Sequence, residues 1–372
     1  MSSAMPSSFP TASVPSTTTT WFAGSIRFDW VYSLLAGFLI GGVFLDGWAH
    51  NHGKVDQSFF TPWHAVLYSG FVILAAFLAL TVAVNRAGGA SWRHAVPPGY
   101  GTSAVGAVVF AVGGVGDLIW HTLFGIEKGI EGNISPSHLT LALGGVLLFT
   151  GPLRAAWRRT APDAAARWVT LLPALLALTY IFSVLTFFTQ YAHPIVISRA
   201  DLHITQIFIT LTPFQIVTET DLSAKLGVTS ILLQTAIMMG VIFFAVRRWQ
   251  RLPIGTFAVL FGLNGFMMSF LAGDAPILAV AVVSALIGLI VDLLHRALQP
   301  SAERIVPLRM FALAVPLVNY IVYFGVLLAI HGSFGWSTHL WTGAIVEAGI
   351  VGLLLSYVCV PPPIASAPAE HH

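Results

Sequence analysis

Charged residues are scarce in this sequence: Asp, Glu, Lys and Arg make up 9% of its 372 residues, whereas 56% are hydrophobic. So few charged side chains cannot cover the surface of a soluble globular protein of this length. The formal net charge is only +2, which gives no basis for binding nucleic acid. The composition therefore predicts an integral membrane protein in contact with the lipid bilayer.

Cysteine is also scarce, because Cys359 is the one cysteine in the chain. A single thiol excludes an intrachain disulfide and a metal cluster held by several thiolates. The N-terminal residues are rich in Ser, Thr and Pro. They lack the basic segment and apolar core of a cleaved signal peptide. We therefore expect disordered tails over residues 1–25 and 361–372.

Long apolar runs are abundant, and each can cross about 30 Å of hydrocarbon as a helix. They predict an all-α fold, a polytopic membrane bundle of about ten transmembrane helices arranged as repeated helical hairpins. The runs cover residues 30–50, 62–85, 100–123, 137–154, 168–190, 224–246, 254–272, 275–295, 308–330 and 338–359. The long apolar connection at 194–223 is expected on the outer side of the bundle.

The arginines indicate how the bundle is oriented. All of them except Arg199 fall on one side of the ten-span arrangement. Loops rich in Lys and Arg stay in the cytoplasm. The sequence therefore predicts that both termini are cytoplasmic and that the opposite ends of the helices face outward.

One phrase in the sequence combines an acid with two histidines. Asp46 and His50 stand four residues apart at the outer end of the first run, so they share one face of a helix. Thr61, Pro62 and His64 open the next run, where Thr61 can cap a helix and Pro62 suits its first turn. The phrase predicts a helical hairpin with one carboxylate and two imidazoles converging near its tip.

The phrase occurs a second time, with Asp117 and His121 ending an apolar run and Ser135, Pro136 and His138 opening the next. Two imidazoles and one carboxylate leave coordination positions open for water, oxygen or substrate, and they suit copper, iron or zinc. If the two hairpins pack as a four-helix bundle, the ligands form two neighbouring mononuclear sites or one dinuclear site. The spacing does not choose between these arrangements.

The two copies divide the chain into regions. Residues 26–160 are predicted to form a four-helix metal-binding membrane region, and residues 161–360 contribute six further transmembrane helices. The loops of the first region hold candidates for orienting the ligands or relaying protons, with solvated loop residues as the alternative. These candidates are His52, Asp56, Glu127 and Glu131.

Weaker candidates lie elsewhere in the chain. Ionisable residues at membrane depth or at the ends of spans are costly and mark possible functional sites. Packing or interfacial roles are the alternative for each of them. The residues are His193, His203, His331, His339 and Glu347.

The first phrase, Asp46-x3-His50 followed by Phe60-Thr-Pro-Trp-His64, resembles the metal-binding stretch of a family of membrane proteins. The family is the C-type membrane subunit of the copper membrane monooxygenases, which include the particulate methane and ammonia monooxygenases. There an Asp-x3-His is followed by Asp-Phe-Thr-Pro-Ser-His. The next hairpin of that family has an Asn-x3-His leading to a Pro-x-His, matched here by Asp117, His121 and His138. The resemblance covers about residues 30–160, under half of the chain.

This resemblance implies a pair of copper sites in the membrane that activate dioxygen against a small apolar substrate. Asp46, His50 and His64 would hold one ion, and the second trio would hold the catalytic one. It also implies other membrane subunits as partners, with a homo-oligomer as the alternative. Three further hypotheses stay open: a copper or zinc carrier or metal-insertion factor, a haem protein with histidine axial ligands, and a structural subunit whose partners bring the chemistry.

Overall fold

The computed structural model describes residues 24–54, 58–127, 129–159, 167–200, 208–212, 215–273, 276–333 and 335–360, and for residues 208–212 and 215–220 it describes the backbone alone. The tails predicted at 1–25 and 361–372 lie outside these residues, apart from Gly24 and Ser25.

The described chain is a helical bundle, as predicted. Its first half consists of α1 (Ile26–Asn51), α2 (Pro62–Ala87), α3 (Trp92–Ala95), α4 (Gly101–Phe124), α5 (Glu131–Ile134), α6 (Pro136–Arg159) and α7 (Trp168–Phe188). Its second half consists of α8 (Glu219–Arg248), α9 (Thr256–Ala272), α10 (Ile277–Leu298), α11 (Ile305–His331) and α12 (Thr338–Cys359). Within the described residues, nine helices are long and apolar enough to cross a membrane, which makes this a multi-pass membrane protein.

The seventh predicted span is shorter than the others. Helix α9 has 17 residues, which is about 26 Å at 1.5 Å per residue and less than the hydrocarbon thickness. Its N-terminus is capped from the neighbouring helix: Asp292 of α10 accepts hydrogen bonds from the backbone N–H groups of Gly255, Phe257 and Ala258 (3.0, 3.1 and 3.2 Å). A carboxylate satisfying several free N–H groups fixes the start of the helix.

Helix α1 begins earlier than its apolar run predicts. The hydroxyl of Ser25 caps the helix by accepting a hydrogen bond from the backbone N–H of Phe28 (3.3 Å). Asp29 in the first turn is buried, pairs with Arg159 of α6, and accepts a hydrogen bond from the hydroxyl of Tyr100 (2.6 Å). The ion pair and the hydrogen bond offset the free-energy cost of removing the carboxylate from water. The ion pair ties α1 to α6 at the arginine-rich end of the bundle.

Glycines bring the helices of the first two hairpins into close contact. A Cβ at Gly42 of α1 would lie 2.8 Å from the Cα of Leu67 in α2, and one at Gly144 of α6 would lie 2.5 Å from the backbone nitrogen of Phe110 in α4. Small residues at such crossings allow two backbones to approach within a membrane. The close approach fixes how far apart the ends of each hairpin lie.

Helix α7 joins the two halves of the bundle, because it packs against α1 and α6 on one side and against α8 and α9 on the other. Its side chains enter two separate apolar cores: Leu175 and Phe182 pack with the second half, and Tyr180 and Phe187 pack with the four-helix region. The four-helix region therefore rests against the remaining helices as one packed unit.

The third connection is shorter than predicted because α8 begins at Glu219 rather than near residue 224. Its first turn is helical through Asp221, which pairs with Lys225 one turn later (2.6 Å). Before α8 the connection contains a 3₁₀ turn (Gln190–Ala192) and a two-stranded antiparallel hairpin of β1 (Phe208–Thr212) and β2 (Gln215–Thr218).

Candidate metal centre

The first acid and histidine phrase converges at the end of the α1–α2 hairpin. Asp46 and His50 lie in the last two turns of α1, with 3.7 Å between Oδ2 of Asp46 and Nε2 of His50. His64 lies in the first turn of α2, where its backbone N–H donates to the capping hydroxyl of Thr61 (3.1 Å). Nε2 of His64 is 3.5 Å from Oδ2 of Asp46. The structure thus brings these three side chains together.

The second phrase converges in the same way between α4 and α6. Oδ1 of Asp117 lies 3.3 Å from Nε2 of His121 on the same helix and 3.1 Å from Nε2 of His138 in the first turn of α6. The hydroxyl of Ser135 lies 2.9 Å from Nδ1 of His138. Both imidazoles therefore direct Nε2 at one carboxylate oxygen.

His64 joins the two trios into one group. The ligand atoms of Asp46, His50 and His64 lie within 4.8 Å of one another, and so do those of His64, Asp117 and His121. This geometry favours two neighbouring ions, or one shared site, over two distant sites. We refer to the group as the ligand cluster; it comprises Asp46, His50, His64, Asp117, His121 and His138.

Most of the ligand cluster is removed from the surface. Asp117 is 1% exposed, His64 4% and His121 6%. His50 and His138 are half-buried and line a cavity. Carboxylates held away from water require positive charge or hydrogen bonds nearby, since an uncompensated buried charge is costly.

The second ring nitrogen of each central imidazole has its own protein partner. Nδ1 of His64 donates to the backbone carbonyl of Phe59 (2.6 Å). Nδ1 of His121 faces the carboxylate of Glu127 (3.2 Å to Oε2) and the carbonyl of Gly125 (3.3 Å). Such contacts fix the tautomer and the orientation of a metal-binding histidine. They hold Nε2 of both rings toward the carboxylates of the ligand cluster.

The donor set fits a metal ion. Oxygen acceptors at Nδ1 place a ring proton there in His64 and His121, which directs Nε2 of each ring at a carboxylate. A metal ion between Nε2 and the carboxylate oxygens would bind both. Among the described residues, Nε2 of His121 and Oδ1 of Asp46 are buried without a hydrogen-bond partner. Metal ions take neutral imidazoles and ionised carboxylates as ligands, so an ion bound in each of the two groups would satisfy these atoms.

Three contacts around the ligand cluster were not predicted. The hydroxyl of Tyr68 donates to Oδ2 of Asp117 (3.2 Å), and that of Ser137 donates to Oδ1 (3.1 Å). The ring of Phe59 stacks on His64 with 4.9 Å between centroids. Tyr68 lies four residues after His64, so the helical spacing was a usable signal. Ser137 stands inside the second phrase, whereas no sequence pattern indicates Phe59.

Of the residues predicted to orient ligands, Glu127 alone contacts the cluster among those described. His52 donates from Nδ1 to the carbonyl of Trp48 (2.8 Å) and stacks on its indole. Glu131 is exposed at the start of α5. Asp56 lies outside the described residues.

The weaker candidates that the structure describes lie apart from the ligand cluster. His193 is buried beyond α7, and its Nδ1 accepts a hydrogen bond from the backbone N–H of Ile195 (3.2 Å). Burial lowers the pKa of His193 to about 3. His331, His339 and Glu347 are exposed on α11 and α12, and His203 lies outside the described residues.

A cavity of about 1090 Å³ adjoins the ligand cluster. Asp46, His50, His121 and His138 contribute to its wall near the end of the hairpins. Its remaining wall comes from α1, α2, α4, α6, α7, the 3₁₀ turn, the loop after α1 and the segment between α4 and α6. The ligand cluster is therefore accessible from inside the bundle.

Comparisons of the chain with protein-family models, with curated proteins and with solved structures find no match. The site geometry and the sequence phrases are therefore the basis for proposing a function.

Proposed function

We propose that the protein is a membrane copper protein, related to the C-type membrane subunit of the particulate methane and ammonia monooxygenases, that oxidises an apolar substrate with dioxygen. The observation that carries the proposal is the convergence of two repeated ligand trios on His64, beside a cavity inside the membrane bundle. A membrane protein that only needed structural ion pairs would have no reason to hold four imidazoles and two carboxylates together.

The sequence resemblance is the basis for proposing copper, with iron or zinc as the alternatives. Imidazole suits all three metals, and the carboxylates keep iron and zinc open. Copper bound by the ligand cluster would supply the dioxygen chemistry. The buried trio of His64, Asp117 and His121 would hold it away from water, while His50 and His138 face the cavity where a substrate can approach.

The surrounding residues have distinct tasks in this proposal. The carbonyl of Gly125, with the carboxylate of Glu127 3.2 Å away, would orient His121 through Nδ1, and the carbonyl of Phe59 would orient His64. The hydroxyl of Tyr68 stabilises the ionised form of Asp117 by donating to it. The ring of Phe59 covers His64 and limits the entry of water.

A metal carrier is less well supported. Transport requires polar groups that continue from the ligand cluster toward the opposite end of the bundle. Farther into the bundle from the ligand cluster, the described residues that line the cavity are apolar, as at Leu39, Phe110 and Phe149. At the far end Asp29 is already paired with Arg159. These contacts favour a resident metal over a transported one.

The metal content tests the proposal directly. Membranes containing only this chain should carry copper by elemental analysis and give a copper EPR signal, and both His50→Ala and His121→Ala should remove metal. Metal-free protein from a preparation kept from chelators would overturn the proposal. A Soret band would instead indicate haem, and dioxygen uptake on adding an apolar substrate would test the reaction.

We also propose that the ligand cluster lies toward the outer side and that both termini are cytoplasmic. The arginine-bearing ends of α2, α6 and α8 lie opposite the cluster. In a Cys359→Ala background, an impermeant maleimide added to intact cells should label Ser58→Cys near the cluster but spare Ser91→Cys. The reverse labelling would refute this orientation.

A further inference from the structure

The cavity has a polar end and an apolar end. At the end of the hairpins its wall includes Asn51, Gln190 and Asn133 together with the ligand cluster, and Asn51 donates to Gln190 (2.7 Å). Farther into the bundle the wall consists of hydrocarbon and aromatic side chains. These are Leu39, Val43, Leu67, Phe110, Leu141, Ala142, Phe149 and Val184, while Phe187 and Phe188, the last residues of α7, line the wall near Gln190.

The apolar part is long and follows the helix axes. On α1 the wall extends from His50 to Leu39, and on α6 from His138 to Phe149, which is eleven residues on each helix. At 1.5 Å per residue, both helices give a depth of about 17 Å. An extended alkyl chain advances only about 1.25 Å per C–C bond of about 1.5 Å because it zigzags, so this depth fits about 14 atoms in line: a chain of about a dozen carbons plus a small polar head.

A glycine keeps the apolar part open. Gly145 of α6 lines the cavity, and a Cβ built on it would have Cε2 of Phe110 (3.9 Å) and Cε2 of Phe149 (4.0 Å) as its nearest neighbours. These are ordinary van der Waals distances, so a methyl group fits and a longer side chain extends into the cavity. At Gly144, one position earlier, a Cβ would meet backbone at 2.5 Å. The wall is therefore open at Gly145, in contrast to the tight helix crossing beside it.

We infer that the cavity binds a single-chain amphiphile, with an unbranched chain of about a dozen carbons along α1, α6 and α7 and a small polar head beside the ligand cluster. The inference rests on the proposed function in naming this amphiphile as the substrate class. Binding of the amphiphile requires only the cavity and does not depend on a bound metal. The polar head, rather than the chain terminus, would then lie next to His50 and His138.

The test uses a dodecanol probe carrying a photoreactive diazirine in its chain, with the protein in nanodiscs. We expect saturable labelling of cavity residues such as Val43 and Val184, displaced by unlabelled dodecanol. Gly145→Leu should reduce this labelling about tenfold, the equivalent of about 1.4 kcal/mol in binding. Gly41→Leu is the matched control, since a Cβ there would meet no described atom within 4 Å. Ala142→Leu serves as a second cavity-filling variant.

Each outcome has one interpretation. Labelling that is confined to lipid-facing residues such as Val72 and Val108, or that Gly145→Leu and Ala142→Leu leave unchanged, overturns the inference. A diazirine phosphatidylcholine that labels the cavity as strongly as the alcohol also overturns it, because the occupant is then a bilayer lipid. Metal analysis of the same samples separates the two proposals. Labelling of protein that contains no metal would refute the proposed copper protein, and metal-containing protein that is not labelled would refute the binding of an amphiphile.

Discussion

The imidazole rings of His64 and His121 lie 6.0 Å apart, centroid to centroid, although the two histidines belong to different helical hairpins. His64 is also 3.5 Å from Asp46 through Nε2. It therefore belongs to both potential sets of ligands, and its loss should disturb both.

The first prediction concerns this shared position. His64→Ala should lower the metal content per chain more than His50→Ala or His138→Ala, because each of the latter removes a ligand from only one side. Elemental analysis of purified protein measures the difference. His339→Ala, an exposed histidine on α12, is the control and should keep its metal. Full retention of metal by His64→Ala would contradict the shared site.

The second prediction concerns the acid that orients His121. Glu127→Gln weakens the acceptor at Nδ1, and loss of such a partner lowers metal affinity about 10- to 100-fold. Competition with a chelator of known affinity measures the change. Glu131→Gln, in the same loop but exposed, should bind like the wild type. Equal affinities for both variants would show that Glu127 does not orient a ligand.

Spacing within single helices explains how much of the site could be predicted. Asp46 and His50 share a face because they are four residues apart, and Thr61 caps α2 so that His64 enters in its first turn. Both relations are local, and local geometry is encoded in neighbouring residues. The convergence of each trio could therefore be predicted without the tertiary fold.

The union of the two trios could not be predicted in this way. It depends on how the α1–α2 and α4–α6 hairpins pack on each other, through contacts such as the ring of Phe71 stacked on that of Phe110 and the hydroxyl of Tyr32 donating to the carbonyl of Leu148. Such contacts join residues distant in sequence and follow no period. The cavity at Gly145 could not be predicted for the same reason. Nor could the cap that Asp292 provides at the start of the short helix α9. Glu127 lies in a loop, where no regular spacing fixes the direction of a side chain.

The third prediction tests the helix crossing. Gly144→Ala adds a methyl group that meets the backbone of Phe110, so it should separate α4 from α6 and lower the melting temperature in detergent. Gly116→Ala, on α4 where a Cβ meets no described atom within 4 Å, should be neutral or stabilising, since Ala favours a helix over Gly by about 1 kcal/mol. Similar melting temperatures for the two variants would show that the crossing tolerates more space.

The fourth prediction concerns His193, which lies outside the membrane-spanning helices. Burial lowers its pKa in the folded protein to about 3, whereas an unfolded histidine titrates near pH 6.5. As the pH falls through this window, the unfolded state takes up a proton that the folded state does not. The free energy of unfolding should therefore be highest above about pH 6.5 and fall by up to about 1.4 kcal/mol per pH unit until the pH approaches the folded pKa.

His193→Asn isolates this effect, because the Asn side-chain oxygen can still accept from the backbone N–H of Ile195 but does not titrate. Melting temperatures of both proteins in detergent, measured from neutral pH down to about pH 4, give the comparison. The wild type should lose stability relative to the variant as the medium is acidified, since the other histidines are common to both chains. A constant difference across the range would mean that His193 is protonated in the folded protein or solvated there, and its burial beside α7 would then not keep it neutral.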